Sequence, residues 1–133
     1  MMQTLQPPGW ARPKGFANGI AARGRLVFIA GQVGWTGQGE WRERAFAGQF
    51  RQALRNILDV LAEAGGKPEH LVRLTWYVLD KKEYLASLRE VGAAYRELMG
   101  RHYPTMAVVQ VSGLVEDEAR LEIEATAVVP EGT

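Results

Sequence analysis

Two glutamates, Glu122 and Glu124, alternate with the apolar residues Leu121, Ile123 and Ala125. A period of two is that of a β-strand with unequal faces, so both carboxylates share the face opposite the apolar one. A carboxylate in a partly desolvated place holds its proton to higher pH than one in water, and can then move a proton or orient a water near neutral pH. The same alternation also describes a ladder of surface charges on an edge strand, and spacing alone does not separate the two.

The other candidates carry less. His70 and His102 are the only histidines; His70 falls in the turn Pro68-Glu69-His70, and neither has acidic neighbours at metal-ligand spacing, so structural or solvated roles are expected and no metal is. Gly31, Gly34, Gly37 and Gly39 form neither the GxGxxG nor the Walker pattern, and no helix starts directly after them, so they read as turn residues. The chain has no cysteine, which removes disulfides, thiolate nucleophiles and thiolate metal sites. Lysine and arginine total 16 against 15 aspartate and glutamate, a balance that favours neither nucleic acid nor an anionic membrane as partner. The first twelve residues lack the basic start, apolar run and small-residue site of a secretion signal, and no stretch approaches a membrane span, so a cytoplasmic protein is expected.

The 133 residues suit one domain, 1–133. Pro7, Pro8, Gly9, Pro13 and Gly15 mark an N-terminal arm, followed by a short strand over 16–22. Residues 26–33 are apolar on both side-chain parities, the pattern of a strand covered on both faces. Phe46, Phe50, Leu54, Ile57, Leu58 and Leu61 share one helical stripe within 45–64, closed by Gly65-Gly66. Residues 71–79 alternate Val72, Leu74, Trp76 and Val78 against Arg73, Thr75 and Tyr77. A second helix starts after Asp80 as N-cap, carries Tyr84, Leu88, Val91, Tyr95 and Leu98 on one stripe, and stops at Gly100. Two strands follow, 105–111, apolar at nearly every position, and 120–129. The order is ββαβαββ, an α+β domain without internal repeats, ending in the short tail Pro130-Glu131-Gly132-Thr133.

Two helices cover only one face of such a sheet, yet two of its strands are apolar on both sides. A second copy of the same sheet is the simplest cover for the remaining face, so the chain is expected to self-associate.

Several stretches together resemble the Rid (reactive intermediate deaminase, YjgF-type) family: Gly15-Phe16; Phe28-Ile29-Ala30-Gly31-Gln32-Val33; Asn56-Ile57-Leu58 with Ala64-Gly65-Gly66; 72–80; Tyr95; Pro104; and Leu121-Glu122-Ile123-Glu124-Ala125. The resemblance spans nearly the whole chain. It implies a chorismate-mutase-like fold, a mixed sheet backed by two helices on one face, assembled as a homotrimer whose sheets form a central barrel with small-molecule pockets between subunits. It also implies hydrolysis of reactive enamines and imines without cofactor or metal. Glu122 matches the family glutamate that orients the attacking water. Phe16, Ala30, Gly31, Gln32, Met106, Ala107 and Val108 match pocket positions, with a structural role for Gln32 as the alternative.

The departures bear on substrate. Where the deaminase subgroup carries an arginine that pairs with the substrate carboxylate, this chain has Met106; Ala30 and Phe16 have each lost a hydroxyl, an asparagine falls at Gly92, and an occasional cysteine at Val108. Losing a bidentate charge-assisted contact costs on the order of 1.5–3 kcal/mol, so 2-aminoacrylate is expected to bind roughly tenfold to over a hundredfold more weakly. Arg73, Arg101 and Arg120 are the candidate replacements. The expected function is an imine or enamine deaminase for a bulkier or less acidic substrate; the alternatives are a non-catalytic small-molecule binder or sensor and, against the charge balance, an endoribonuclease or translation inhibitor.

Overall fold

In a computed structural model describing residues 2–131, the stripe Phe46, Phe50, Leu54, Ile57 and Leu61 folds as one helix, α1 (Phe46–Glu63), with all five residues buried. It ends where the spacing predicts, because Gly65 takes φ +74°, a left-handed conformation that costs side chains other than glycine energy. The Gly66 N–H then donates to the Leu61 carbonyl at 3.1 Å.

The second stripe is interrupted. The Asp80 carboxylate caps the Lys82 N–H at 2.9 Å as expected, but the helix forms two pieces, α2 (Lys81–Ala86) and α3 (Leu88–Met99). Ser87 lies at the break, where its hydroxyl donates to the Glu83 carbonyl at 2.8 Å and satisfies a backbone group locally. Leu88, one member of the stripe, is left exposed, while Val91, Ala94, Tyr95 and Met99 enter the core.

The strands are β1 (Met2–Leu5), β2 (Gly19–Ala22), β3 (Arg25–Gln32), β4 (Leu71–Val78), β5 (Thr105–Gln110) and β6 (Leu121–Val129). The main sheet runs β3-β6-β4-β5, antiparallel except for the parallel β4–β5 pair, so it is mixed. Helices α1 and α3 lie on one face over Leu74, Trp76, Leu121, Ile123 and Ala125, where Phe50 stacks on Trp76 at 4.8 Å. Three details differ from the sequence expectation. The arm supplies a strand, β1, which pairs with β2 apart from the main sheet. The strand expected from 16 starts at Gly19, while Ala17 bridges to Thr105 and donates its N–H to the Pro104 carbonyl at 3.1 Å. A bulge near the start of β4 turns Leu71 into the core and leaves Val72 half-buried, the reverse of the parity read for Val72. Gly132 and Thr133 of the tail lie outside the described residues.

The second face of the sheet carries no helix. Leu26 and Phe28 of β3 are 63% and 73% exposed there, and Val109 of β5 stands on the same side. Residues expected to be covered on both faces are thus covered on one within a single chain.

A buried polar side chain fixes the entry into β6. Gln49 donates to the carbonyls of Glu43 (3.2 Å) and Glu118 (2.9 Å) and accepts the Arg120 N–H (2.8 Å), two residues before Glu122. Gln49→Leu strands the Arg120 donor and the Glu118 acceptor, and is expected to lower unfolding stability by about 2–3 kcal/mol. A urea midpoint equal to that of the parent chain would contradict this.

Candidate functional site

Glu122 and Glu124 share the uncovered face, and alternation on β6 puts Leu121, Ile123 and Ala125 in the core as expected. The strand beside them is bulged. β3 pairs with β6 up to Ile29–Ala125 and resumes at Gln32–Ile123, so Ala30 and Gly31 together oppose Glu124. The Glu122 side chain lies over this bulge: a Cβ at Gly31 would overlap its carboxylate oxygen and come within 2.8 Å of its Cδ. Glycine at 31 is therefore a matter of space for the carboxylate.

On the other side Tyr77 of β4 is the register partner of Glu122. Its hydroxyl donates to Glu124, and that bond, with burial and the two carboxylates, holds the phenol above its ordinary pKa. Glu124 is thus engaged, whereas the ion pairs among the described residues, Arg42–Glu40, Arg51–Glu97 and Arg120–Glu83, leave Glu122 out. Glu122 is the carboxylate with free acceptor positions, half-buried beside the exposed Phe28 strand.

The other sequence-derived site residues divide among separate places. Register with β4 puts Ala107 on the uncovered face with Thr75, but Met106 and Val108 on the helix side with Leu74 and Trp76. Met106 and Val108 line a groove of about 340 Å³ between the edge strand β5, the helices α2 and α3, and the arm at Lys14-Gly15. That size is at the lower end for small-molecule sites. Within one chain Glu122 and Met106 therefore stand on opposite sides of the sheet. Phe16 opens on a neighbouring cleft with Pro13, Arg101 and Tyr103. Gln32 lies in a third, near Trp35 and Asn56, and its amide donates to the Ala30 carbonyl at 3.1 Å, a structural bond that holds the bulge.

Both histidines are structural. His70 Nδ1 accepts the Lys67 N–H at 2.9 Å, and His102 Nε2 sits 2.6 Å from the Leu71 carbonyl, to which it donates. None of the three arginines considered as replacements lines the Met106 groove. Arg73 bonds Thr126 on the uncovered face, Arg120 pairs with Glu83, and Arg101 lies in the Phe16 cleft. The groove's cations are instead Lys14 and Arg96. Arg96 was legible only as the residue four positions after Gly92, one helical turn away.

Residues 11–129 match the family described as Endoribonuclease L-PSP. The chain belongs to the Rid (YjgF-type) family. A RutC family protein of Pyrococcus horikoshii is 35% identical over 105 residues, covering 78% of this chain and 79% of the relative. The human 2-iminobutanoate/2-iminopropanoate deaminase is 29% identical, covering 78% and 73%. Among solved structures, the YyfB protein of Yersinia pestis, described as a Rid family protein of unknown function, superposes with a TM-score of 0.85 at 30% identity over 96% of this chain and 98% of its own. The α+β fold, a mixed sheet with its helices on one face, is the Rid fold. Among the described residues no helix is long and apolar enough to cross a membrane.

Proposed function

We propose that this Rid protein is a cofactor-free imine or enamine hydrolase whose site is completed by a second copy, one copy contributing Glu122 and the next the Met106 groove. The observation that carries the proposal is the Glu122 carboxylate, unpaired and seated over Gly31 at the border of an exposed apolar face. The name of the human relative supplies the reaction class, deamination of small 2-imino acids. A homotrimer of the kind the resemblance implies would cover Leu26 and Phe28 and bring the two half-sites to one seam.

Glu122 takes a proton from a water as the water oxygen bonds to the imine carbon and the C=N electron pair moves to nitrogen. The protonated Glu122 then returns that proton to the nitrogen, giving the carbinolamine. The carboxylate next takes the carbinol hydroxyl's proton and passes it to the amine as the C–N bond breaks, so that the carbonyl forms and ammonia leaves. Both directions of proton transfer use the same carboxylate. Met106 and Val108 make the β5 wall of the groove more apolar than it would be with an arginine at 106, which favours substrates with an apolar side chain.

The test is ammonia release by purified protein from freshly generated imines with small acidic, branched and aromatic side chains. Release that is fastest with the bulkier imines supports the proposal; silence across the panel, with the ligands still bound, supports the binder. Against a ribonuclease, the uncovered face sets Glu122 and Glu124 beside Arg73 and offers no basic stripe for a phosphate backbone.

Gly31→Ala is expected to reduce turnover at least tenfold with little change in stability, because its Cβ displaces only the end of a flexible side chain. Turnover equal to the parent's, with the melting temperature also unchanged, would show that the position of Glu122 over the bulge is immaterial.

A further inference from the structure

The groove at Met106 holds two cationic side chains, Lys14 and Arg96, and no aspartate or glutamate. Its remaining walls are aromatic or apolar, with Trp76, Tyr84, Tyr103 and Met106 foremost. Arg96 lies across Gly92 one helical turn back: a Cβ at 92 would stand 3.2 Å from its Nη1, so the missing side chain there leaves room for the guanidinium at the groove wall. Arg96 has no carboxylate partner, since the ion pairs among the described residues are formed by Arg42, Arg51 and Arg120. A second, independent sign comes from Trp76. Its indole nitrogen is the buried side-chain polar atom left without a hydrogen-bond partner among the described residues, although the ring is only 4% exposed and lines this groove. Buried donors of this kind ordinarily have partners.

We infer that Arg96 anchors the anionic group of the groove's ligand, taking over from α3 the role that Met106 on β5 cannot fill, and that the ligand is a small carboxylate with an aromatic or branched apolar side chain. A guanidinium presents a planar fork of N–H donors that a carboxylate oxygen pair matches, while the aromatic walls receive the apolar part. Lys14 adds a second positive charge at the mouth. This inference rests on the groove being the substrate half of the proposed site, but it concerns binding and not turnover. A cation in the last turn of α3 also complements the helix dipole, and that role alone would affect stability and not ligand preference.

The test uses phenylacetate and its uncharged counterpart phenylacetamide, titrated calorimetrically into the full-length assembled protein. The parent is expected to bind phenylacetate in preference to the amide. Arg96→Gln is expected to weaken phenylacetate roughly tenfold or more while leaving the amide unchanged, with Arg96→Lys intermediate. Unfolding midpoints of the variants check that the groove is intact. Equal affinity for the two probes in the parent, no saturable phenylacetate binding, or an Arg96→Gln variant that binds phenylacetate as tightly as the parent would each overturn the inference. If the binding pattern holds while no imine is hydrolysed, the hydrolase proposal fails and the anchor stands.

Discussion

Glu122→Gln is expected to abolish ammonia release from imines while leaving fold and oligomeric state unchanged. The glutamine amide has nearly the same shape, so it still fits over Gly31, but it neither takes a proton from water nor returns one to nitrogen. Losing a positioned general acid–base group removes on the order of 10²–10⁴-fold in rate. Because both half-reactions pass through this carboxylate, the upper part of that range applies. Glu122 has no ion-pair partner to strand, so its melting temperature stays near the parent's. Glu124→Gln is the internal control: it alters the bond to Tyr77 and leaves the carboxylate over the bulge in place. A kcat lowered equally by both substitutions would mean that charge on this face matters and proton transfer by Glu122 does not.

Phe28→Glu is expected to have the next largest effect, on assembly. In a single chain the ring is 73% exposed, so the substitution costs the isolated fold little. In an assembly that covers the face, each new carboxylate is buried beside copies of itself and near Glu122 and Glu124, an unpaired burial that costs several kcal/mol per charge. Sedimentation velocity is expected to show the parent as an oligomer and the variant as a folded monomer without imine turnover. A variant that sediments with the parent would show that this face is not where the copies meet.

Much of this arrangement was legible in the sequence because it is periodic. The α1 stripe and the β6 alternation repeat over enough residues to fix which side faces the core, and the stop at Gly65 and the Asp80 cap are local chemistry. What escaped depended on contacts that periodicity does not encode. The second stripe runs without a gap through Tyr84, Leu88 and Val91, yet the helix breaks at Ser87, whose hydroxyl bonds the Glu83 carbonyl. β1 is four residues before a proline pair, and it forms because Ala22 and its neighbours offer an edge to Met2–Leu5.

The site divides in the same way. Glu122 stood out as a strand carboxylate, whereas its dependence on Gly31 follows from the bulge that brings β3 against β6. Met106, Ala107 and Val108 are consecutive, yet the pleat sends the middle one to the face opposite the other two. Arg96 was the least legible, because an arginine late in an amphipathic helix looks like any solvated charge until Gly92 and the β5 edge are set beside it.

The central claim, that one copy's Glu122 serves the next copy's groove, is tested most directly by complementation. Glu122→Gln inactivates one half; Gly92→Trp fills the groove and inactivates the other, since little but the Arg96 guanidinium stands in the way of a side chain at 92. Chains carrying the two substitutions, co-expressed and purified as mixed assemblies through separate tags, are expected to recover about a third of the parent's turnover, because every mixed trimer, whichever chain is in the majority, joins two intact halves at one of its three seams. Mixed assemblies no more active than either parent variant alone would contradict the claim and place each site within a single chain.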